Sequence, residues 1–156
     1  MILGIDIGGT TVKFGVVTTE GEIITKDAHD THAWDDDSEL FVHNLVAIIN
    51  DYRNNYEIEG IGIGIPGLLS VDRRSTLSLA NIPALDNLNL LDKLEKALPD
   101  LPIKIENDAK CAAIGETHFG THADLNNYLL ISLGTGVGGG LVLDKKLFIG
   151  VNGNAT

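Results

Sequence analysis

Only one cysteine, Cys111, occurs in the 156 residues. No internal disulfide can form, and a reducing cytoplasm is the expected compartment. No apolar run approaches the roughly 20 residues that a bilayer-spanning helix needs. The opening Met1-Ile2-Leu3-Gly4 carries neither the basic stretch nor the small-residue cleavage site of a secretory leader, and passes straight into a strand pattern. Cations are scarce: 11 Lys and Arg stand against 22 Asp and Glu, a formal net charge of −11. Phosphate backbones and anionic bilayers call for clustered Lys and Arg, so neither nucleic acid nor membrane is expected as a partner. The deficit leaves room for a nucleotide held in a cleft, where backbone N–H groups and a divalent ion take up the charge. The chain also lacks G-x-x-x-x-G-K-[ST], which excludes the P-loop.

What is present suits a globular α/β chain. Hydrophobic residues make up 44% and charged residues 21%, enough for a real core. Ile2–Ile7 and 12–17 read as strands around the break Gly8-Gly9-Thr10, and a third strand starts at Ile23. The polar stretch 27–39, with His29, His32 and Asp35 to Asp37, reads as a solvated surface loop rather than a metal site. Ser38 is the expected N-cap of a helix whose stripe is Phe41, Leu45, Ile48 and Tyr52. A glycine-interleaved strand runs from Ile58 to Ile65 and stops at Pro66-Gly67; 71–76 reads as a turn between short strands. Leu90, Leu91, Leu94 and Leu98 mark a second helix, Ile103 and Ile105 a strand, and 109–119 a third helix. Two apolar strands, 128–133 and 141–143, flank a glycine-dense stretch. Strand, glycine turn, strand thus occurs twice, at 2–17 and 128–143. The second copy reads as the first hairpin of another lobe on the same plan, giving expected units 1–125 and 126–156.

Three places carry chemistry. At Asp6-Ile7-Gly8-Gly9-Thr10-Thr11 the glycines admit an anion close to the backbone, and the N–H groups and Thr10 and Thr11 hydroxyls can donate to phosphate oxygens. Asp6, just before the turn, is a candidate Mg²⁺ ligand; a carboxylate in an apolar strand is costly without a partner. Gly134-Thr135-Gly136 opens a second glycine stretch that a strand follows, not a helix, so it is read as a second phosphate hairpin and not as a dinucleotide fingerprint. Asn107-Asp108 stand at a strand-to-helix junction: an amide for sugar hydroxyls, and a carboxylate able to take the proton of an attacking hydroxyl. Either is also a plain helix cap.

In family order along the whole chain, Asp6–Thr11, Gly60–Gly67, Asn81-Ile82-Pro83, Asn107-Asp108-Ala109 with Ala112, Ala113, Gly115 and Glu116, and Leu133–Gly140 resemble the motifs of ROK sugar kinases (repressors, open reading frames and kinases). The resemblance implies an actin-like ATPase (ribonuclease H-like) fold: a mixed β-sheet flanked by helices, followed by the first hairpin of a second lobe. It implies Asp108 as general base, with Asn107, Gly67 and Asn81 around the sugar. Asp6, Gly8, Gly9, Thr10, Thr11, Gly134, Thr135 and Gly136 would surround Mg²⁺–ATP. It further implies ATP-dependent phosphorylation of a neutral hexose or N-acetylhexosamine, glucose first, and a homodimer for the complete protein. Thr11 and Lys110 stand where many members carry Lys and Asn. The family's Glu-x-x-x-His sugar motif, its zinc cysteines and its adenine-binding part would all follow Thr156, so an N-terminal fragment, inactive alone, is expected. A sugar-responsive regulator of the same family and a non-catalytic sugar-binding remnant are the competing readings.

Overall fold

A computed structural model of the chain describes residues 1–34, 37–134 and 136–155. Its centre is a five-stranded mixed sheet of order β3-β2-β1-β4-β7. Strand β1 (Ile2–Ile7) pairs antiparallel with β2 (Thr11–Val17), and β2 pairs antiparallel with β3 (Ile23–Asp30). On its other edge β1 pairs parallel with β4 (Gly60–Ile65), which pairs parallel with β7 (Ile103–Asn107); between them in the chain, β5 (Leu68–Leu69) and β6 (Thr76–Ser78) form a separate antiparallel ribbon.

Strict alternation assigns the faces, because successive side chains point to opposite sides of a strand. Leu3, Ile5 and Ile7, Val12, Phe14 and Val16, Ile61, Ile63 and Ile65, and Ile103 and Ile105 are all buried on one side. Against them pack α1 (Ser38–Asn55), through Phe41, Val42, Leu45 and Ile49, and α2 (Leu90–Ala97), through Leu90, Leu91 and Leu94. The opposite face carries Gly4, Asp6, Lys13, Gly15, Gly62, Gly64, Lys104 and Glu106 and borders an open cavity. Among the described residues no helix is long and apolar enough to cross a membrane.

Helix α3 (Asp108–Phe119) carries a separate three-stranded sheet of order β10-β9-β8, made of β8 (Tyr128–Leu133), β9 (Val137–Leu143) and β10 (Lys146–Leu147). Its glycines are partly packing devices. A Cβ on Gly138 would lie 2.9 Å from Ala109 Cβ, and one on Gly140 would lie 2.5 Å from Ala113 Cβ. The β8–β9 pairing, Tyr128↔Val142 to Leu133↔Val137, repeats the β1–β2 pairing, Ile2↔Val17 to Ile7↔Val12, with a loop one residue shorter.

Four details depart from the sequence reading. Residues 137–140, read as part of a glycine-dense turn before a strand at 141–143, are the first half of β9. Residues 27–30 are not loop but the end of β3, followed by a 3₁₀ turn at Thr31–Ala33. An edge strand tolerates polar side chains, and His29, opposite buried Val12 in the ladder, packs edge-on against Phe14 at the rim of the core-side face, ring centroids 5.5 Å apart. Asp37, not Ser38, caps α1 by accepting from Glu39 N–H at 2.9 Å. The buried stripe of α1 includes Val42 and Ile49, while Ile48 and Tyr52 are only half-buried. Asp35 and Asp36 lie outside the described residues.

Candidate active site

Parallel strands β1, β4 and β7 end on the same edge of the sheet, the edge where ligands gather in open α/β folds. Their exits are Gly8-Gly9, Pro66-Gly67 and Asn107-Asp108. At the first, Gly8 N–H donates to Thr11 O at 2.9 Å, and the Thr31 hydroxyl donates to Gly8 O at 2.7 Å, so Gly9 and Thr10 form the tip. Neither Gly8 nor Gly9 has a left-handed backbone. Glycine is required at position 9 for space: a Cβ there would lie 2.6 Å from Asn81 Cβ. Asn81 is therefore seated against the first glycine turn.

Gly67 does need its conformational freedom. Its φ is +86°, and an added Cβ would collide with Ser78 O. Its carbonyl accepts from Asn107 Nδ2 at 3.3 Å, which joins the second exit to the third.

At the third exit the two cap candidates separate. Asn107 is the cap: its Oδ1 accepts from Lys110 N–H at 3.2 Å. By valence its amide keeps one N–H and one lone pair beyond these two bonds. Asp108 is the first residue of α3; among the described residues its carboxylate accepts only from the adjacent Ala109 N–H, at 2.8 Å, and it is exposed. Asp108 and Asp6 both line one cavity of about 1080 Å³, with Lys13, Gly64, Glu106, Cys111 and Ser132 also at its wall.

Asp6 Oδ2 accepts from Lys13 Nζ at 3.1 Å, and both side chains are more than half exposed. Such a pair is weak in water, so Lys13 can turn to an incoming anion. Hard carboxylate oxygens suit Mg²⁺, which takes one or two carboxylates and fills its shell with phosphate oxygens and water. Among the described residues no group of three or more His, Cys, Asp or Glu is placed to hold a metal. An ion at Asp6 would therefore be shared with substrate phosphates. Burial pushes the Cys111 thiol up to about 11, so it stays protonated and is no nucleophile.

The second glycine turn stands apart. Gly134 and Gly136 are exposed, an added Cβ on either would meet nothing, and Gly134 N–H donates to Gly136 O at 2.9 Å. Neither lines the cavity, which the hairpin reaches through Ser132. Thr135 lies outside the described residues. Sequence reasoning missed Lys13, Glu106 and Arg73 at the cavity wall. The period-2 alternation of β2 and β7 was the available signal, since it puts Lys13 and Glu106 on the face that bears Asp6.

A mixed sheet of this order flanked by helices, with a glycine turn leaving β1 and a carboxylate at the β7–α3 junction, defines an actin-like ATPase lobe. The chain belongs to the ROK family, whose model matches residues 2–156. It is 38% identical over 158 aligned positions to a glucokinase of Halalkalibacterium halodurans, covering 98% of this chain and 47% of that enzyme. A Cytophaga hutchinsonii protein assigned as a sugar kinase superposes with a TM-score of 0.92 at 46% identity, over 100% of this chain and 52% of its own. A ROK family glucokinase from Streptomyces griseus, solved with glucose and AMPPNP, superposes with a TM-score of 0.85 at 34% identity, over 99% of this chain and 48% of its own. The chain thus spans about half the length of the relatives it matches.

Proposed function

We propose that the protein transfers the γ-phosphoryl group of ATP to a hydroxyl of a neutral hexose or N-acetylhexosamine, with Asp108 as general base. The carrying observation is the division of labour at the start of α3. Asn107 takes up the helix cap, which leaves the Asp108 carboxylate exposed and turned to the cavity that also holds Asp6. Asp108 accepts the proton of the attacking hydroxyl. The hydroxyl oxygen forms its bond to the γ-phosphorus as the bond to the β-phosphate bridging oxygen breaks, and ADP leaves. Mg²⁺ at Asp6 would neutralise charge on the phosphate oxygens. Phosphoryl transfer asks mainly for positioning and charge neutralisation, so a carboxylate, a metal carboxylate and a backbone turn meet the need.

The sugar side follows from the groups at the strand ends. Asn107, Asn81 and the Gly67 region offer amides and backbone groups, which suit neighbouring neutral hydroxyls. Near Asn107 the cation Arg73 is already engaged with Glu106, while Lys13, Lys26 and Lys104 line the sheet face of the cavity, on the side of Asp6. A neutral hexose therefore fits better than a sugar acid, with glucose first. The test is a panel of hexoses, N-acetylhexosamines, sugar acids and polyols with Mg²⁺–ATP on the complete protein, run beside Asp108→Asn. The expected result is turnover on a neutral sugar and a loss of about 10²–10⁴ in kcat in the variant, with sugar affinity little changed. Preference for a sugar acid or polyol overturns the substrate class. Sugar binding without turnover favours the regulator or the binding remnant, and an unchanged kcat leaves Asp108 as a helix residue only.

A further inference from the structure

Beside the β7 exit lies a buried ionic cluster that none of the roles above employs. Lys110 is 1% exposed, and its Nζ donates to Gly153 O at 2.8 Å. Arg73 reaches the same carbonyl with Nη2, and its Nε donates to Glu106 Oε2 at 2.9 Å. The Arg73 and Glu106 side chains are only 15% and 20% exposed. The other carboxylate oxygen of Glu106 accepts the backbone N–H of Asn107 at 2.8 Å. A buried charge is expensive unless it is paired and hydrogen-bonded. Here two cations converge on one main-chain carbonyl with a single carboxylate between them, which is far more than a surface turn needs to stay in place.

The surroundings are built for that grip. Arg73 sits in the left-handed region at φ +61°, a conformation unfavourable for a side chain with a Cβ. The turn around it holds the strain: Arg73 N–H and Nη1 both donate to Ser70 O, at 2.9 and 3.0 Å, and Ser75 N–H donates to Ser70 Oγ at 2.9 Å. Gly153 is also left-handed at φ +72°, and an added Cβ would lie 2.7 Å from Arg73 Nη1. A third tie runs from Asn154 Nδ2 to Leu69 O at 3.2 Å. Burial also lowers the Lys110 pKa, with Glu106 opposing the shift.

We propose that Arg73 and Lys110 are positioning residues: they clamp the 150–155 turn and, through Glu106, brace Asn107, so their joint grip sets the shape of the sugar side of the cleft. The proposal rests on the sugar-kinase reading and adds to it the residues that tune sugar affinity. Neither cation is hydrogen-bonded to the phosphate turn at Gly8–Thr10, so their effect should fall on the sugar more than on ATP.

Two variants test it in the complete protein. Lys110→Met keeps the apolar stem and removes the donor. Arg73→Lys keeps the charge but cannot hold Glu106 and Gly153 together as the guanidinium fork does. The readouts are the KM for sugar, the KM for ATP, kcat, and amide hydrogen exchange over 150–155. In each variant exchange in that segment should speed up, and the sugar KM should rise about tenfold to hundredfold, the range of a hydrogen bond to a charged group. The KM for ATP and kcat should change clearly less than the sugar KM. Unchanged exchange overturns the clamp. Faster exchange with an unchanged sugar KM, or with equal losses in every kinetic constant, overturns the positioning role and leaves a structural staple. A wild-type protein that phosphorylates no sugar removes the reading beneath the proposal; wild-type turnover with unaltered variants removes only the proposal.

Discussion

At the residue scale, Gly9 and Asn81 make one site out of two sequence motifs that stand 72 positions apart. The contact gives a reciprocal test. Gly9→Ala places a methyl 2.6 Å from Asn81 Cβ, so either the turn or the asparagine must move. The KM for ATP should rise by about tenfold or more, within the 1–3 kcal/mol that overpacking typically costs. Adding Asn81→Gly removes the clashing atom, and the KM for ATP should recover most of the loss. A steady-state comparison of the single and double variants decides it. No recovery would mean that the methyl obstructs phosphate directly, with Asn81 a bystander. The two cap candidates illustrate the same scale: Asn107 and Asp108 are neighbours of similar size, and helix geometry alone gives one the cap and the other the open cavity.

Among the elements, α3 has the largest share of the work. Its N-terminus holds Asn107 and Asp108, and its next two turns carry Ala109, Ala113 and Thr117 beneath the second sheet. Tyr128 at the start of β8 closes that contact, its hydroxyl 2.6 Å from both Ala113 O and Thr117 Oγ1. Gly140→Val should therefore destabilise the protein by about 1–3 kcal/mol, because its Cβ begins 2.5 Å from Ala113 Cβ. Gly62→Ala on the open face meets nothing within 4 Å and should be neutral or stabilising by under about 1 kcal/mol. Urea unfolding midpoints of the two variants measure the contrast, and equal midpoints would contradict the packing role of Gly140. The helices and central strands were legible because their apolar spacing is regular. The second half of β3 was not, since Asp27, His29 and Asp30 read as loop until β2 supplies the hydrogen-bonding partner.

For the molecule as a whole, the apolar side chains left outside the core matter most. Leu129 and Ile131 of β8 are 53% and 59% exposed, and Leu133 and Val137 beside its hairpin turn are each 79% exposed. A contiguous surface of this kind is unusual on a finished domain. Together with coverage of about half of each matched relative, it leads to one expectation. Residues 1–156 taken alone should phosphorylate no sugar measurably, because the cavity is open and half of the relatives' length is not represented. A coupled assay giving turnover within tenfold of a typical enzyme median near 10 s⁻¹ would overturn this.

Local patterns carried much of the answer. Alternating Leu, Ile and Val named the core strands, glycine turns marked the strand exits, and Asp6 stood out as a carboxylate in an apolar strand; Asn107 and Asp108, equally readable as plain helix caps, were singled out by the family resemblance. What local pattern could not carry was the pairing between distant segments. Nothing in the order of residues says that Gly9 yields to Asn81, that Gly138 and Gly140 are spaces for Ala109 and Ala113, or that Arg73 and Lys110 meet at Gly153. Those relations depend on which surfaces face each other once the sheet has formed. A strand's period is local, whereas the contact across a strand end is set by the sum of all the chain between.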